Sequence, residues 1–383
     1  MKKRLLATLT AAMMVVSLAA CGGSSSGGAS SAAAEATTAA AEAVSTAAAE
    51  ASTAAAEAST AETEAPTDAS EFKVCIITDI GGINDASFNE SAWAGAQRAA
   101  EELGIQASYL ESKQDSDYGP NIETAIDEGN DLIICIGYML SDALREKAEA
   151  YPDQKFAIVD DAANADLPNV TCLLFEQSQC SYLVGYVAGM VSESNTVGFI
   201  LGMASDTMHE FGYGYVAGVL DANPEARVLQ ANANAFGDTA MGKSLANQMI
   251  ADGADVIYHA AGGTGLGMIE ACREAGIWAI GVDQDQSPIA PETILTSAMK
   301  RVDTSVYDIT KQAMEGNFPG GIITYTLADT GVDIAPTTDN LPEEVLTKIE
   351  EVKADIIAGT ITVPKDKAGF EAQYGAGIYE LAE

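Results

Sequence analysis

Residues 73–104 read KVCIITDIGGINDASFNESAWAGAQRAAEELG, and their order of apolar and polar residues indicates the class of fold. An apolar run rich in Val and Ile ends on Asp79, a polar loop follows, and an Ala-rich segment from Ser87 closes on Gly104. The run is typical of a strand that is buried on both faces, and the Ala-rich segment is typical of a helix. The stretch therefore predicts a β-strand, a loop and an α-helix.

The same alternation continues along the chain and starts again at TVGFILGM, residues 196–203. Continuous apolar strands with helical crossovers predict parallel sheets that are covered on both faces. Between the two halves, residues 170–193 begin as a strand and continue as a mostly apolar helix. We therefore predict an α/β protein with two doubly wound units. Ligands bind beyond the carboxyl ends of parallel strands, so the cleft between the units is the expected site.

The N-terminal 71 residues are expected to lie outside this folded part. Residues 1–20 carry Lys2, Lys3 and Arg4 directly after Met1, continue with a short apolar core and end in small residues, which predicts a secretory signal peptide. The sequence SLAACGG resembles the lipobox of bacterial lipoproteins, with Cys21 as the lipid-modified residue; a plain leader with an incidental cysteine is the alternative. Residues 21–71 are nearly all Ala, Ser, Thr, Glu and Gly, which cannot bury enough apolar surface to fold. We predict a disordered tether that holds the protein at the extracytoplasmic face of the cell membrane.

Charge and cysteine content exclude several classes of function. The chain has 19 Lys and Arg against 56 Asp and Glu, a net charge of −37 at pH 7. Binding to a phosphate backbone requires the opposite sign, so nucleic acid is not an expected partner. No CxxC pair and no Cys/His metal spacing occurs, so we expect no metal site. We interpret most of the cysteines after Cys21 as small buried hydrophobic residues, and their odd number argues against complete disulfide pairing.

Acidic residues and glycines follow several predicted strands. Asp79, Asp160 and Asp283 each close an apolar run, and Gly263 lies in the glycine-rich segment after another. Carboxylates accept hydrogen bonds from ligand hydroxyls, and glycines let backbone N–H groups approach a ligand closely. A helix N-cap is the alternative interpretation of each single acid. Acids at matching positions in both units favour a shared binding site.

Phe88 and Asn89 lie in the loop after the first predicted strand, which we expect to project into the cleft. The Phe88 ring could stack on a planar heterocycle, as aromatic side chains do on bases, and the Asn89 amide offers both a donor and an acceptor. The alternative is that Phe88 packs on its own unit as a hydrophobic staple at the helix start. The residues alone leave both interpretations open.

Residues 74–104 resemble the signature stretch of the basic membrane protein family. These proteins are lipoprotein substrate-binding proteins of ABC transporters, similar to bacterial purine-nucleoside receptors. The blocks FAIVD, GYVAGMVS, ADVIYHAAGGTGLG, IGVDQDQ and ILTSAMKRVD follow in family order, so that the resemblance covers about residues 72–365. It implies the type I periplasmic-binding-protein fold, with two α/β lobes joined by three hinge crossings. The implied N-terminal lobe is residues 72–173 plus about 301–326, and the C-terminal lobe is residues 174–300 plus about 327–383.

The resemblance also implies roles for residues at matching motif positions. In the first lobe, Asp79 and Asn89 would hydrogen-bond a base, Phe88 would stack on it, and Asp160 would make a further polar contact. Phe211 would sandwich the base from the second lobe, with Tyr258 as the alternative.

Three more roles follow from the same resemblance. Asp283, or Asp285, would bind the ribose hydroxyls with backbone help near Gly263. Lys300 would lie at a hinge crossing; a surface lysine paired with Asp303 is the alternative. Before Phe211 this chain has His209 and Glu210, where the family more often carries a basic residue.

The resemblance implies a membrane-anchored solute-binding protein of an ABC importer that binds a nucleoside, with a purine as the expected base. The expected partners are the ABC permease subunits and, through the lipid anchor, the membrane; we expect a monomer without a cofactor. The alternatives are a binding protein for a pentose or another small sugar, and a ligand-sensing surface lipoprotein. We expect no enzyme activity, because no Ser/His/Asp set is evident. His259 is the only plausible base, and a supporting or helix-capping role is the interpretation we favour for it.

Overall fold

The structure is a computed structural model that describes residues 71–381. The predicted signal peptide, Cys21 and all of the predicted tether except its last residue lie outside the described residues. Within residues 71–381, no helix combines the length and the apolar character that crossing a membrane requires.

Strands and helices alternate along the described chain. The strands are β1 (Lys73–Ile77), β2 (Gln106–Leu110), β3 (Leu132–Ile136), β4 (Lys155–Val159), β5 (Val170–Phe175), β6 (Thr196–Leu201), β7 (Arg227–Asn232), β8 (Val256–Ala260), β9 (Trp278–Asp283), β10 (Ile294–Lys300), β11 (Gly321–Tyr325) and β12 (Val332–Ile334). The helices are α1 (Phe88–Leu103), α2 (Tyr118–Asp127), α3 (Ser141–Ala150), α4 (Gln177–Val191), α5 (Asp206–Ala222), α6 (Thr239–Ala251), α7 (Thr264–Ala275), α8 (Val302–Met314), α9 (Glu343–Ile357) and α10 (Lys367–Tyr374).

Two six-stranded sheets form two lobes. The first sheet has the order β11-β5-β4-β3-β1-β2, and all its neighbouring strands are parallel. The second has the order β12-β10-β9-β8-β6-β7 and is parallel except for the antiparallel pair of β10 and β12. The chain crosses between the sheets after β5, after β10 and after β11. The predicted α/β fold with two parallel-sheet lobes is confirmed.

Helices cover both faces of each sheet, which explains the continuous apolar runs of the sequence. In β1, Val74 and Ile76 belong to one buried cluster, whereas Cys75 and Ile77 belong to another on the opposite face. All five residues of β3 are buried. The five cysteines of the described chain are buried and unpaired, and each fills space as a small apolar side chain.

A repeated sequence, GYVAG, packs α4 against α5 and thereby fixes the position of α5. A Cβ atom at Gly185 would lie 2.2 Å from the Tyr215 carbonyl oxygen, and one at Gly214 would lie 2.1 Å from the Ser178 carbonyl oxygen. The two helix backbones therefore meet at a distance that only glycine permits. This contact holds the first turns of α5 beside the ends of the central strands.

Candidate functional site

The carboxyl ends of the strands of both sheets meet at one cleft. The space not filled by atoms is about 520 Å³, with open solvent at the mouth included. The lining comes from both lobes: Asp79, Gly81, Asp85, Phe88, Asn89, Gly137, Tyr138, Asp160, Met208, Phe211, Phe236, Ala260, Ala261, Gly262, Val282, Asp283 and Lys300.

The structure brings seven of the eight predicted ligand-binding residues to this cleft. These are Asp79, Phe88, Asn89, Asp160, Phe211, Asp283 and Lys300. Gly263 is the exception: it is the N-cap residue before α7 and does not line the cleft, whereas its neighbour Gly262 does. An added Cβ at Gly263 would meet the backbone of Asp85 at 3.8 Å, so this part of the second lobe reaches the first lobe directly.

A carboxylate-amide network fixes the first-lobe side of the cleft. Asp79 Oδ1 accepts from the Gly81 backbone N–H and from Asn89 Nδ2, both at 2.8 Å. Asn89 Nδ2 also donates to Asp85 Oδ2 at 3.1 Å. Because two carboxylates face this nitrogen, the orientation of the amide is determined. Asn89 Oδ1 is then a buried acceptor without a partner among residues 71–381, and such an atom favours a ligand that donates a hydrogen bond.

The Asp85 carboxylate caps the start of helix α1. It accepts from the backbone N–H groups of Ser87 and Asn89, each at 2.9 Å, and of Glu90 at 3.1 Å. The Ser87 side chain makes no cap; its hydroxyl donates to the Asp283 carboxylate of the other lobe. The helix therefore starts at Phe88, whose ring lines the cleft.

Lys300 joins the lobes at the base of the cleft. This lysine is 2% exposed and forms an ion pair with Asp160 of the first lobe. The Lys300 ammonium lies 4.7 Å from the centroid of the Phe88 ring and 5.6 Å from the centroid of the Phe211 ring. The two ring centroids therefore lie no more than about 10 Å apart. Asp303, the alternative partner, pairs with Arg301 instead.

Burial dominates the electrostatics of the cleft. It raises the pKa of Asp79 to about 6 and that of Asp283 to about 6. Burial also raises the pKa of Asp160, although the Lys300 ammonium opposes this shift. Asp85 is a fourth buried carboxyl group. Four acids face one ammonium, so the cleft disfavours an anionic ligand and offers acceptors to neutral N–H and O–H groups.

Three residues of the cleft region have backbone conformations that side chains normally avoid. Ala86, Asp160 and Asp283 have φ of 52°, 64° and 65°. Asp283 ends β9, and Asp160 directly follows β4, so the two acids occupy equivalent positions in the two sheets. Each such residue costs of order 1 kcal/mol and persists where surrounding contacts determine it, as is common at functional sites.

Three residues that the sequence made candidates do not line the cleft. Asp285 accepts hydrogen bonds from the Thr337 hydroxyl and the Ser287 backbone, so Asp283 is the acid that faces the cleft. Tyr258 is fully buried, and its hydroxyl hydrogen-bonds Ser181 Oγ at 2.9 Å. His259 is also fully buried and contacts Gln286.

The lining residues that sequence reasoning missed include Asp85, Met208 and Phe236. Asp85 is one of two acids in the loop after β1. Its role depends on the hydrogen bond that it accepts from the Asn89 side chain, which sequence spacing alone does not reveal. Phe236 lies in the loop between β7 and α6 and approaches Gly202 so closely that a Cβ there would lie 2.4 Å from the ring. Gly202, directly after β6, is the sequence feature that could have indicated a large side chain packed at this position.

Among the described residues, no group of three or more His, Cys, Asp or Glu side chains is arranged to hold a metal ion. The cleft acids are dispersed and hydrogen-bonded to amide, hydroxyl and ammonium donors. The site combines buried carboxylate and amide groups, apolar rings and the Lys300 ammonium.

Comparison with known proteins places this site in a family. The sequence model of the family described as ABC transporter substrate-binding protein PnrA-like matches residues 72–367. The CD4+ T-cell-stimulating antigen of Listeria monocytogenes is 39% identical over 319 residues, which cover 78% of this chain and 89% of that relative. The ABC transporter nucleoside-binding protein BmpA of Lactococcus lactis is 37% identical over 317 residues, or 77% of this chain and 90% of that relative.

A solved structure agrees with the sequence relatives. The crystal structure of an ABC transporter solute-binding protein from Aeropyrum pernix matches with a TM-score of 0.73 and 30% identity, covering 81% of this chain and 99% of that one. The family model spans both lobes and every cleft residue described above. The chain therefore belongs to the PnrA-like family of ABC transporter substrate-binding proteins, the basic membrane protein family that its sequence motifs resemble.

Proposed function

We propose that this ABC transporter substrate-binding protein binds a nucleoside with a purine base in the cleft between its lobes. The observation that carries the proposal is the pair of rings, Phe88 from the first lobe and Phe211 from the second, beside the same buried ammonium. Aromatic pairs make contact at centroid distances of roughly 4.5 to 7 Å, so one planar ring can contact both side chains. Stacking of a base between them would contribute about 1 to 3 kcal/mol for each ring.

The polar groups of the cleft suit the edges of a nucleoside. Asn89 Oδ1 and Asp160 Oδ1 are buried acceptors without partners among residues 71–381. In our proposal Asp79 and Asn89 accept from the N–H groups of the base, and Asp283 accepts from the ribose hydroxyls. Purines carry such N–H groups on the edge that would face Asp79. A nucleotide is disfavoured, because its phosphate would enter a cleft with four buried acids and one ammonium.

A pentose or another small sugar is the second candidate. Its hydroxyls would satisfy the same acceptors, and sugars are also bound between aromatic faces. A sugar makes less use of two rings from opposite lobes than a flat base does, and for this reason we favour the nucleoside. The relative named as nucleoside-binding in Lactococcus lactis supports the same choice.

We further propose that the protein performs no chemistry and delivers its ligand to ABC permease subunits. Closure of the lobes around the ligand would create the surface that the permease recognises. We propose attachment to the extracytoplasmic face of the membrane through a lipid on Cys21. A relative from Pyrococcus abyssi is named as a lipoprotein, which supports this location.

Calorimetric titration tests the ligand. The protein is unfolded and refolded to remove any ligand that copurifies, and is then titrated with guanosine, adenosine, inosine, uridine and ribose. We expect binding of at least one purine nucleoside at micromolar or lower concentration, with ribose silent. Binding of ribose alone would show that the ligand is a sugar and not a nucleoside. Absence of binding to every compound tested would overturn the proposal.

A further inference from the structure

Two hydrogen bonds join the lobes directly beside the cleft, and one of them ends on Asp283, a proposed ligand contact. Gln286 Nε2 donates to the Ala86 carbonyl oxygen at 2.8 Å. The Ser87 hydroxyl donates to the Asp283 carboxylate beside it. Gln286 and Asp283 belong to the second lobe, and Ala86 and Ser87 belong to the first-lobe loop before α1. The lobes are thus held together on both sides of one short loop.

The orientation of the Gln286 amide is fixed by its own lobe. Gln286 Oε1 accepts from the Val282 backbone N–H at 3.0 Å and is 3.0 Å from His259 Nε2. The Gln286 backbone N–H donates to Ser297 Oγ at 3.1 Å, and the residue is 1% exposed. Because the Gln286 amide oxygen is hydrogen-bonded to groups of the second lobe, the amide presents its NH₂ group to the first lobe.

His259 is built into this arrangement. Burial lowers its pKa to about 4, so the ring is neutral at pH 7. Because His259 Nε2 faces the Gln286 amide oxygen, Nε2 carries the proton and donates it to that oxygen. His259 Nδ1 has no hydrogen-bond partner among the described residues. A Cβ at Gly265 would lie 1.9 Å from Nδ1, and one at Gly281 would lie 2.5 Å from Gln286 Oε1. Both glycines therefore leave space for this polar pair.

The loop that Gln286 contacts controls the start of α1. Ala86 has a φ of 52°, a conformation that a non-glycine residue keeps only where surrounding contacts determine it. On one side the Asp85 carboxylate holds the backbone N–H of Ser87 and Asn89. On the other side Gln286 holds the Ala86 carbonyl. The next residue after Ser87 is Phe88, so any movement of this loop changes the position of the proposed stacking ring.

We propose that Gln286 is a positioning residue that stabilises the closed arrangement of the lobes by holding the loop of residues 85–87 against the second lobe. It does not line the cleft, so its effect on affinity acts through the loop and not through contact with ligand. The Ser87 to Asp283 hydrogen bond is the second part of the same contact. Only the affinity measurement below rests on the proposed nucleoside function.

The distance between the lobes tests this directly and needs no ligand. Nitroxide labels are placed on the full chain in detergent at Ser116→Cys and Ala240→Cys, two exposed positions that follow the edge strands β2 and β7 at the cleft side of each lobe. The cysteines of the described chain are buried, which protects them from the label, and Cys21 is replaced with serine so that only the two introduced thiols react. The distance distribution is measured by pulsed electron resonance for the parent protein, Gln286→Met and Gln284→Met. Gln284 is the matched control, because it lies two residues away and its side chain makes no interlobe hydrogen bond within residues 71–381.

We expect Gln286→Met to shift the distribution to longer distances and Gln284→Met to leave it unchanged. If Gln286→Met fails to fold, Ser87→Ala replaces it, since removing one hydroxyl at that position leaves the Asp85 cap intact, and the same shift is expected. An unchanged distribution in the folded variant would overturn the proposal.

The affinity measurement separates this inference from the proposed function. With a purine nucleoside, loss of one hydrogen bond between the lobes should weaken binding about 2- to 10-fold in Gln286→Met and not in Gln284→Met. Equal affinities would overturn the link between the loop contact and binding. If the parent protein binds no nucleoside, the proposed function fails, and the distance measurement still decides the role of Gln286.

Discussion

Replacing Asp79 with asparagine exchanges one carboxylate oxygen in the cleft for an NH₂ group. We expect opposite effects of this change on ligand affinity and on the stability of the fold. Asp79 Oδ1 accepts from the Gly81 N–H and Asn89 Nδ2, so the new amide keeps its oxygen there and places its NH₂ group where Oδ2 was. A ligand N–H that donates to Oδ2 would then face another donor. A hydrogen bond to a charged group contributes roughly 1.5 to 3 kcal/mol, so we expect the affinity for a purine nucleoside to fall about 10- to 150-fold.

The same substitution should stabilise the ligand-free fold. Burial raises the pKa of Asp79 to about 6 from 3.8, so the folded protein holds this proton more tightly than the unfolded chain. Stability from this group is therefore present at low pH and is lost as the pH rises from about 4 to 6. At pH 8 asparagine removes a buried charge that costs up to about 3 kcal/mol. We expect the Tm to rise by about 2 to 5 °C at pH 8, with a smaller gain near pH 4.

Calorimetry of one refolded, ligand-free sample measures the nucleoside affinity by titration and the Tm by scanning. Asp127→Asn is the matched control, because it removes the same charge from an exposed position of the same lobe. The affinity of the unaltered protein should also fall as the pH is lowered through about 6, where Asp79 becomes protonated. An Asp79→Asn protein that binds normally and melts at a lower temperature would refute this reasoning.

Three further substitutions or truncations test other parts of the site. Phe88→Ala should weaken purine-nucleoside binding by about 1 to 3 kcal/mol in calorimetry, and an unchanged Kd would remove Phe88 from the site. Lys300→Met should destabilise the fold by about 3 to 5 kcal/mol in urea, because it leaves the Asp160 carboxylate buried and unpaired. Adding Asp160→Asn should recover most of that loss, and no recovery would contradict the pairing. A chain that begins at Ser70 should keep the affinity of the full chain; weaker binding would give the N-terminal segment a role in the site.

The fold could be predicted because parallel strands leave a strong local pattern. Strands such as β3 are buried on both faces, so the apolar run is continuous and the strand boundaries follow from it. The acids Asp79, Asp160 and Asp283 could be found for the same reason, since a residue that closes a parallel strand lies at the cleft edge. Their placement required no knowledge of contacts between the lobes.

The remaining cleft residues depend on contacts that are distant in sequence. Lys300 lies three residues from Asp303, yet it pairs with Asp160, 140 positions away, because β10 ends opposite β4 across the cleft. Phe236 reaches the cleft only because Gly202 leaves room for its ring. Gly262 faces the cleft in place of Gly263, a difference of one residue that glycine-rich sequence cannot resolve. Such features arise from tertiary packing, which a local pattern does not encode.

A crystal structure of the refolded protein with guanosine would show directly whether a purine base binds between the two lobes. We predict that the purine ring lies between Phe88 and Phe211, with its N–H edge on Asp79 and Asn89 and the ribose hydroxyls on Asp283. A nucleoside bound outside this cleft, or one whose ribose occupies the space between the two rings, would contradict the account.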